Sequence, residues 1–474
     1  MACRARTTLL YAATGVVVAA ASIAVALAVT PLQQVSVVGE QIGVGAAAPS
    51  LSFSGPGEVD LFGQRLPTTV RFTGPVRPRL TLTHITLNQQ LASAFNAKHC
   101  NAAGPAAIGR ALASGWTRYF VWEAVVTGGC AVLLAGAIAG WARFSLRRTL
   151  VLLGASLVLT EAVNLGGIMV TAYSAPARLR QAGSLSGLVG QSRLPVAGKA
   201  AGKAEPSVQA VVMGDSTAAG LGLPPRAHPS KLDSACHRSS YAFAPDLAAL
   251  SNWDVLNLAC SGATVAAGLL GPQQLAHTTA PPQLSQAKKA THASVVIVSI
   301  GANDVGWSGL LRLCAAAKSC ADRASTAYFQ QRLATFTSHY YQLLEQLATL
   351  PSHPRVLVNL YYDPFDLHAS CLDHKGLDAG KEKSLIGLLD ALNSLLAKGA
   401  HASSQISVQP DFAGHALCDP RPYVQGIGDP APFHPTAAGQ LAIALADKQA
   451  LQRAESGPSA APPTSAPSAT STSP

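Results

Sequence analysis

Charge is scarce in this sequence: only 12% of its residues are Asp, Glu, Lys or Arg, while 49% are hydrophobic. That balance is too apolar for an ordinary soluble enzyme and points to membrane segments. Acidic residues are the scarcer sign, 24 against 34 basic ones, leaving a formal net charge of +10. Basic runs and nucleic-acid recognition motifs are both lacking, because Lys and Arg are scattered. The excess charge therefore fits a protein beside an anionic envelope surface and argues against a nucleic-acid partner. C-x-x-C pairs are missing too, which removes a common cysteine signature of metal binding. Nine cysteines are present, and six of them lie after residue 230: Cys236, Cys260, Cys314, Cys320, Cys371 and Cys418. An even set without metal spacing predicts disulfides made in an oxidising compartment. The sequential pairing Cys236–Cys260, Cys314–Cys320 and Cys371–Cys418 is the one expected, although spacing alone admits others. Cys3, Cys100 and Cys130 fall outside this set.

What the chain has in place of charge is long apolar runs. Leu9 to Val29 carries no charge, follows Arg4 and Arg6, and can span a bilayer. A signal peptide cleaved near Ala26-Leu27-Ala28 is the competing reading, and the length of the run favours a retained helix. Tyr119 to Trp141 is a second span with aromatics at both ends, and Leu150 to Tyr173 is a third. Arg143, Arg147 and Arg148 fill the short connection, which the positive-inside rule assigns to the cytoplasm. The expected division is therefore 1–30, first transmembrane helix; 31–117, a small β-rich extracytoplasmic module; and 118–174, a transmembrane hairpin. It continues with 175–206, a flexible linker; 207–452, a catalytic domain; and 453–474, a disordered Ser/Pro/Ala tail. The β-like runs of the module are Leu51–Phe53, Val59–Phe62, Val70–Phe72 and Leu80–Leu82, with a helical piece after them to about Gly115. Glu123, Glu161 and Asn164 lie within the spans, where ionisable groups are either functional or paired between packed helices.

In the C-terminal half, strands are expected at 209–213, 253–258, 294–300, 355–360 and 405–409. Helices are expected near 240–250, 264–270, 325–350, 379–397 and 435–451. This alternation predicts a three-layer α/β/α sandwich around a parallel sheet. The first strand, Val211-Val212-Met213, runs into Gly214-Asp215-Ser216, a sharp turn that presents a serine at a helix start. A serine hydroxyl needs a base to become a nucleophile, and His434 in Phe433-His434-Pro435-Thr436 is the candidate. A tetrahedral intermediate needs fixed donors for its oxyanion. The Ser216 N–H, the Gly262 N–H and the Asn303 side chain, the last two at strand ends, are the candidates. Strand C-termini of one parallel sheet open on a common crevice, so these separated peptides can meet there.

The four blocks Gly214-Asp215-Ser216, Gly262, Gly301-Ala302-Asn303-Asp304 and His434-Pro435-Thr436 resemble those of the SGNH (GDSL) hydrolase superfamily. The six cysteines and the Gly-Ala-Asn-Asp-Val-Gly-Trp run further resemble secreted actinobacterial GDSL lipases and esterases. The resemblance covers residues 207–452. It implies Ser216 as nucleophile, His434 as base, and Ser216, Gly262 and Asn303 as the oxyanion hole, with no metal and no organic cofactor. One position departs from the pattern. The family places an Asp three residues before its histidine, where this chain has Ala431. Either Asp429 or a backbone carbonyl near Ala431 then orients the imidazole. The expected function is a serine ester hydrolase, of esterase or lipase type, anchored in the cell membrane with its catalytic domain on the extracellular face. Its partners would be the membrane and an ester substrate, a lipid or an acylated glycan. The alternatives are an acyltransferase or deacylase of envelope glycans with the same site, and an inactive envelope-binding protein.

Overall fold

The structure is a computed structural model that describes residues 2–37, 40–49, 52, 54–73, 76–84, 103–182, 194–198, 203–365 and 372–456. Helix α1 spans Ala2–Val29. Five strands follow: β1 (Gln33–Val37), β2 (Glu40–Ala46), β3 (Ser54–Leu61), β4 (Gln64–Thr73) and β5 (Pro78–His84). They form one sheet in the order β1-β2-β5-β3-β4, in which only β3 and β5 run parallel. Along β4, buried Leu66, Thr68 and Phe72 are separated by exposed residues, the two-residue period of a half-buried sheet. Strands β1 and β2 were not expected. Their apolar residues, Val35, Val37, Ile42, Val44 and Ala46, are too diluted among Gln, Ser and Gly to mark them.

Helices α2 (Ala103–Trp141) and α3 (Leu146–Ala182) pack against each other and against α1. Val18, Ala131, Ala135, Ala139 and Leu152 are buried where these helices meet. Three of these five are alanines, small enough for helices to pack closely. Val121, Trp122, Val125, Leu133, Val151 and Val158 face outward. Among the described residues two helices, rather than the three expected, are long and apolar enough to cross a membrane: Arg110–Trp141 and Leu146–Ala172. The described side chains of α1 begin at Ala13, and the apolar stretch Ala13–Val29 falls short of that length. Within the pair, Glu123 is fully buried and accepts hydrogen bonds from Thr127 Oγ1 at 2.8 Å and Asn164 Nδ2 at 2.9 Å. Helix α3 continues to Ala182 and so takes in the first eight residues, 175–182, of the expected flexible linker. Beyond it, Leu194 and Ala197 donate their N–H groups to Gln342 and Gln346, so this part of the linker is held.

The second sheet contains β6 (Ala210–Gly214), β7 (Val255–Asn257), β8 (Val295–Ser299), β9 (Arg355–Asn359) and β10 (Ile406–Val408). Their order is β10-β9-β8-β6-β7, all parallel. Central strands β6 and β8 are buried along their whole length, as β-branched strands covered on both faces should be. The covering helices include α4 (Ser216–Ala219), α5 (Phe243–Ser251), α6 (Trp307–Ala316), α7 (Arg323–Leu347), α8 (Ala379–Ala402) and α9 (Ala437–Ser456). Asp322 and Asp378 cap α7 and α8 by accepting first-turn N–H groups. The helix expected at 264–270 is instead a chain of tight turns. Gly262 and Gly268, with φ of 80° and 128°, take backbone conformations that a helix cannot use. Helix α6 was not expected; it starts directly after Gly306, which stands in the left-handed region with φ of 67°.

One hydrophobic core joins both sheets. Phe62, at the tip of the β3–β4 hairpin, packs its ring 6.0 Å from Tyr340 and 6.3 Å from Tyr341 on α7. Val59, Leu61, Leu66 and Leu82 belong to the same core as the catalytic half.

Disulfides join Cys236 to Cys260 and Cys314 to Cys320, as the sequential pairing expects. Cys418 is disulfide-bonded, and its expected partner Cys371 lies outside the described residues. The expected tail, from residue 457 onward, also lies outside them; helix α9 itself continues past 452 to Ser456.

Candidate active site

Strand β6 ends at Gly214, where an added Cβ would collide with the Ser299 carbonyl oxygen. Only glycine permits so close an approach of the two strand ends. Gln283 locks the turn, accepting the Gly214 N–H at 2.8 Å and donating to its carbonyl at 2.9 Å. Asp215, fully buried, accepts the Thr217 N–H at 3.0 Å and so caps α4, whose first residue is Ser216. Gln440 on α9 holds the other side, donating to the Thr217 carbonyl and accepting from the Phe243 N–H.

His434 comes from the loop before α9. Phe433 stands in the left-handed region with φ of 67°, and its carbonyl accepts a 2.8 Å hydrogen bond from the Tyr362 hydroxyl. Gln425 ties this loop to the serine turn by donating to both Leu221 and Pro435 carbonyls. The outcome is a contact of 2.8 Å between His434 Nε2 and Ser216 Oγ, across 218 residues of sequence. The other ring nitrogen, Nδ1, lies 3.2 Å from the Pro432 carbonyl oxygen. An Nδ1–H donor to that carbonyl leaves Nε2 free to accept the serine proton. Burial lowers the His434 pKa below its ordinary value of 6.5, the backbone carbonyls opposing that shift.

Among the described residues Asp429 has no hydrogen bond to the His434 ring. Its Oδ2 accepts the Gly426 N–H at 2.6 Å, which closes a local turn. Stiff flanks at Pro430 and Pro432 carry the chain on to His434 with the Pro432 carbonyl turned inward. Of the two orienting groups the sequence allowed, a backbone carbonyl near Ala431 is the one beside the ring, with the Pro432 oxygen 3.2 Å from Nδ1 and the Ala431 backbone also acting on the imidazole.

Ser216, Asn303 and His434 line one cavity of about 350 Å³. Trp307 and Leu311 of α6, Leu389 and Leu392 of α8, and Tyr361 and Tyr362 after β9 are part of its wall, as are Ser308 and Arg312. Asn303 Nδ2 donates to the Ala263 carbonyl at 3.0 Å, and a primary amide has a second N–H to offer. Gly262 is not among the lining residues of this cavity. It immediately precedes Ala263, so the Asn303 amide binds its turn to the site. Asp304, half-buried, accepts the Val265 N–H at 3.1 Å from the same turn, and desolvation pushes its pKa to about 8. Tyr361 and Gln283 had no sequence signal beyond strand-end and helix-start positions. No group of His, Cys, Asp and Glu suited to a metal ion occurs among the described residues.

A serine at a strand–turn–helix junction, a histidine within hydrogen-bond reach and an amide in one cleft are the parts that acyl transfer through a serine would need. Residues 212–442 match the model of the GDSL-like Lipase/Acylhydrolase family. This part of the chain is a GDSL/SGNH hydrolase family domain, and the protein is an enzyme of the SGNH/GDSL carboxylester hydrolase type. Among solved structures, an extracellular lipase from Streptomyces rimosus is 23% identical, with a TM-score of 0.42, over 52% of this chain and 98% of its own. A phospholipase A1 from Streptomyces albidoflavus is 22% identical, with a TM-score of 0.35, over 51% of this chain and 97% of its own. A carbohydrate acetylesterase from Sinorhizobium meliloti is 14% identical, with a TM-score of 0.26, over 52% of this chain and all of its own. No curated protein matches the chain at a significant level.

Proposed function

We propose that the protein is a membrane-anchored serine ester hydrolase whose catalytic domain works outside the cytoplasm. The observation that carries this reading is the 2.8 Å contact between His434 Nε2 and Ser216 Oγ at the floor of an apolar cleft. In the proposed reaction His434 takes the Ser216 proton as Oγ attacks the ester carbonyl carbon. The carbonyl oxygen becomes an oxyanion held by the N–H groups of Ser216 and Gly262 and by the Asn303 amide. His434 then returns the proton to the departing alkoxide, leaving an acyl-Ser216 ester. Water, deprotonated by the same imidazole, releases the acid and restores the serine. Leu311, Leu389, Leu392 and Trp307 suit the acyl chain rather than a sugar, and the cavity is at the small end of ligand pockets.

Support for the location is separate. Two apolar helices of bilayer length flank a short connection with exposed Arg143, Arg147 and Arg148, which the positive-inside rule puts in the cytoplasm. The domain after them then lies on the opposite side, where its disulfides would be stable. The test is hydrolysis of an activated short-chain ester by the full chain in detergent. Ser216→Ala is expected to lose at least about a hundredfold in kcat. Equal rates for the two proteins remove Ser216 from the mechanism. An ester panel from acetyl to long-chain acyl, with acylated sugars included, separates this reading from glycan acyl transfer or deacylation.

A further inference from the structure

Three neighbouring strand ends carry the parts of the site: β6 leads to Ser216, β8 to Asn303, and β9 to Tyr361. Tyr361 belongs to neither proposed catalytic group, yet its hydroxyl touches the turn of each. It donates to Asp215 Oδ2 at 2.9 Å and accepts the Ala302 N–H at 2.9 Å. Asp215 Oδ1 accepts the Thr217 N–H at 3.0 Å. A chain of hydrogen bonds thus runs from Ala302 through Tyr361 and Asp215 to Thr217. Its ends are the residue before Asn303 and the residue after Ser216.

The direction of this chain is fixed. The Ala302 N–H can only donate, and an ionised Asp215 can only accept, so the single phenolic proton has one place to go. The tyrosine itself is held by its backbone. Its N–H donates to Asn393 Oδ1 at 2.8 Å, and its carbonyl accepts from Asn393 Nδ2 at 2.7 Å and Gln409 Nε2 at 3.1 Å. Asp215 is wholly buried and Tyr361 nearly so, and buried hydrogen bonds of this kind resist exchange with water.

We infer that Tyr361 is a positioning residue, whose hydroxyl sets the separation between the Asn303 amide and Ser216 by clamping Ala302 to Asp215. This rests on the acyl-enzyme reading given above. The chain has particular need of such a clamp. His434 faces a neutral carbonyl, which fixes the tautomer but stabilises imidazolium less than a carboxylate would. Transition-state stabilisation then leans on oxyanion donors, whose worth depends on placement to fractions of an ångström.

The test is a double-mutant cycle on the full-length protein, with Tyr361→Phe and Asn303→Ala and an activated short-chain ester. Tyr361→Phe is expected to lower kcat about tenfold and leave KM within about twofold. In the Asn303→Ala background the same change is expected to cost less than about threefold, because the placement it guards no longer matters. A merely structural tyrosine would give equal losses in both backgrounds. That result, an unchanged kcat, or a loss confined to KM overturns the inference. If Tyr361→Phe gives no cooperative thermal transition, Asp215→Asn replaces it in the same cycle. A wild-type protein without Ser216-dependent turnover overturns the functional reading and this inference together. A wild type that turns over, with a purely additive cycle, overturns the inference alone.

Discussion

At the residue scale, the departure at position 431 has a physical answer. A histidine in a serine hydrolase needs its ring held in one tautomer, and a carbonyl 3.2 Å from Nδ1 can do that. Asp429 is occupied elsewhere, as the acceptor of the Gly426 N–H. Asp429→Asn keeps an oxygen for that N–H, so kcat is expected to stay within about threefold of wild type. Stopped assays on the purified variant check this; a loss as large as that of His434→Ala would make Asp429 the orienting acid. Ser216, His434 and Asn303 were legible in the sequence because each sits in a short peptide whose chemistry is local. The orienting carbonyl was legible only as an option, since any residue has one and only the loop path decides which points inward. Tyr361 was illegible for a related reason: a tyrosine after a buried strand reads as core until its hydroxyl is located.

At the scale of elements, strand ends and buried helices came through and turns did not. The runs feeding β6, β8 and β9 are apolar and β-branched, and they were placed to within a residue or so. The 264–270 segment is apolar enough for a helix, but its backbone is set by glycine φ angles and by Asp304, which accepts the Val265 N–H from another loop. A further element-level feature follows from helix α9 and strand β9. Asp447 is fully buried against Asn359, whose Nδ2 donates to Asp447 Oδ2 at 3.1 Å. The remaining oxygens, Asp447 Oδ1 and Asn359 Oδ1, have no hydrogen-bond partner among the described residues, so little favours the charged carboxylate. Desolvation pushes the Asp447 pKa from 3.8 to about 8. The folded state therefore holds a proton that the unfolded chain releases, and stability falls as pH rises between those two values. Asp447→Asn supplies the neutral form permanently. It is expected to raise stability by about 1–3 kcal/mol near pH 8 and to change it little near pH 5. Denaturant melts at the two pH values measure this, and a variant destabilised equally at both would refute the protonated pair.

At the scale of the whole molecule, the sequence reads as apolar helices, a β-rich module and an α/β domain, and it carries no sign that the two sheets share a core. Nothing in Leu61-Phe62-Gly63 distinguishes a hairpin tip that faces water from one that plugs into a neighbour. Phe62 takes φ of 55° at that tip and is buried against α7. Removing its ring leaves a cavity in a joint rather than in a single domain. Phe62→Ala is expected to cost about 3–5 kcal/mol and to lower the melting midpoint of the catalytic half. Calorimetry of the full chain in detergent reads this, and an unchanged midpoint would mean the two sheets are energetically independent. The joint also bears on how the enzyme would meet its substrate. With the sheet of β1 to β5 seated both on the apolar helices and on α7, the catalytic cleft is mounted on a bracket instead of trailing on a leash. In the proposed orientation it would reach only esters presented at one fixed height above the bilayer, so that reach itself becomes a form of selectivity.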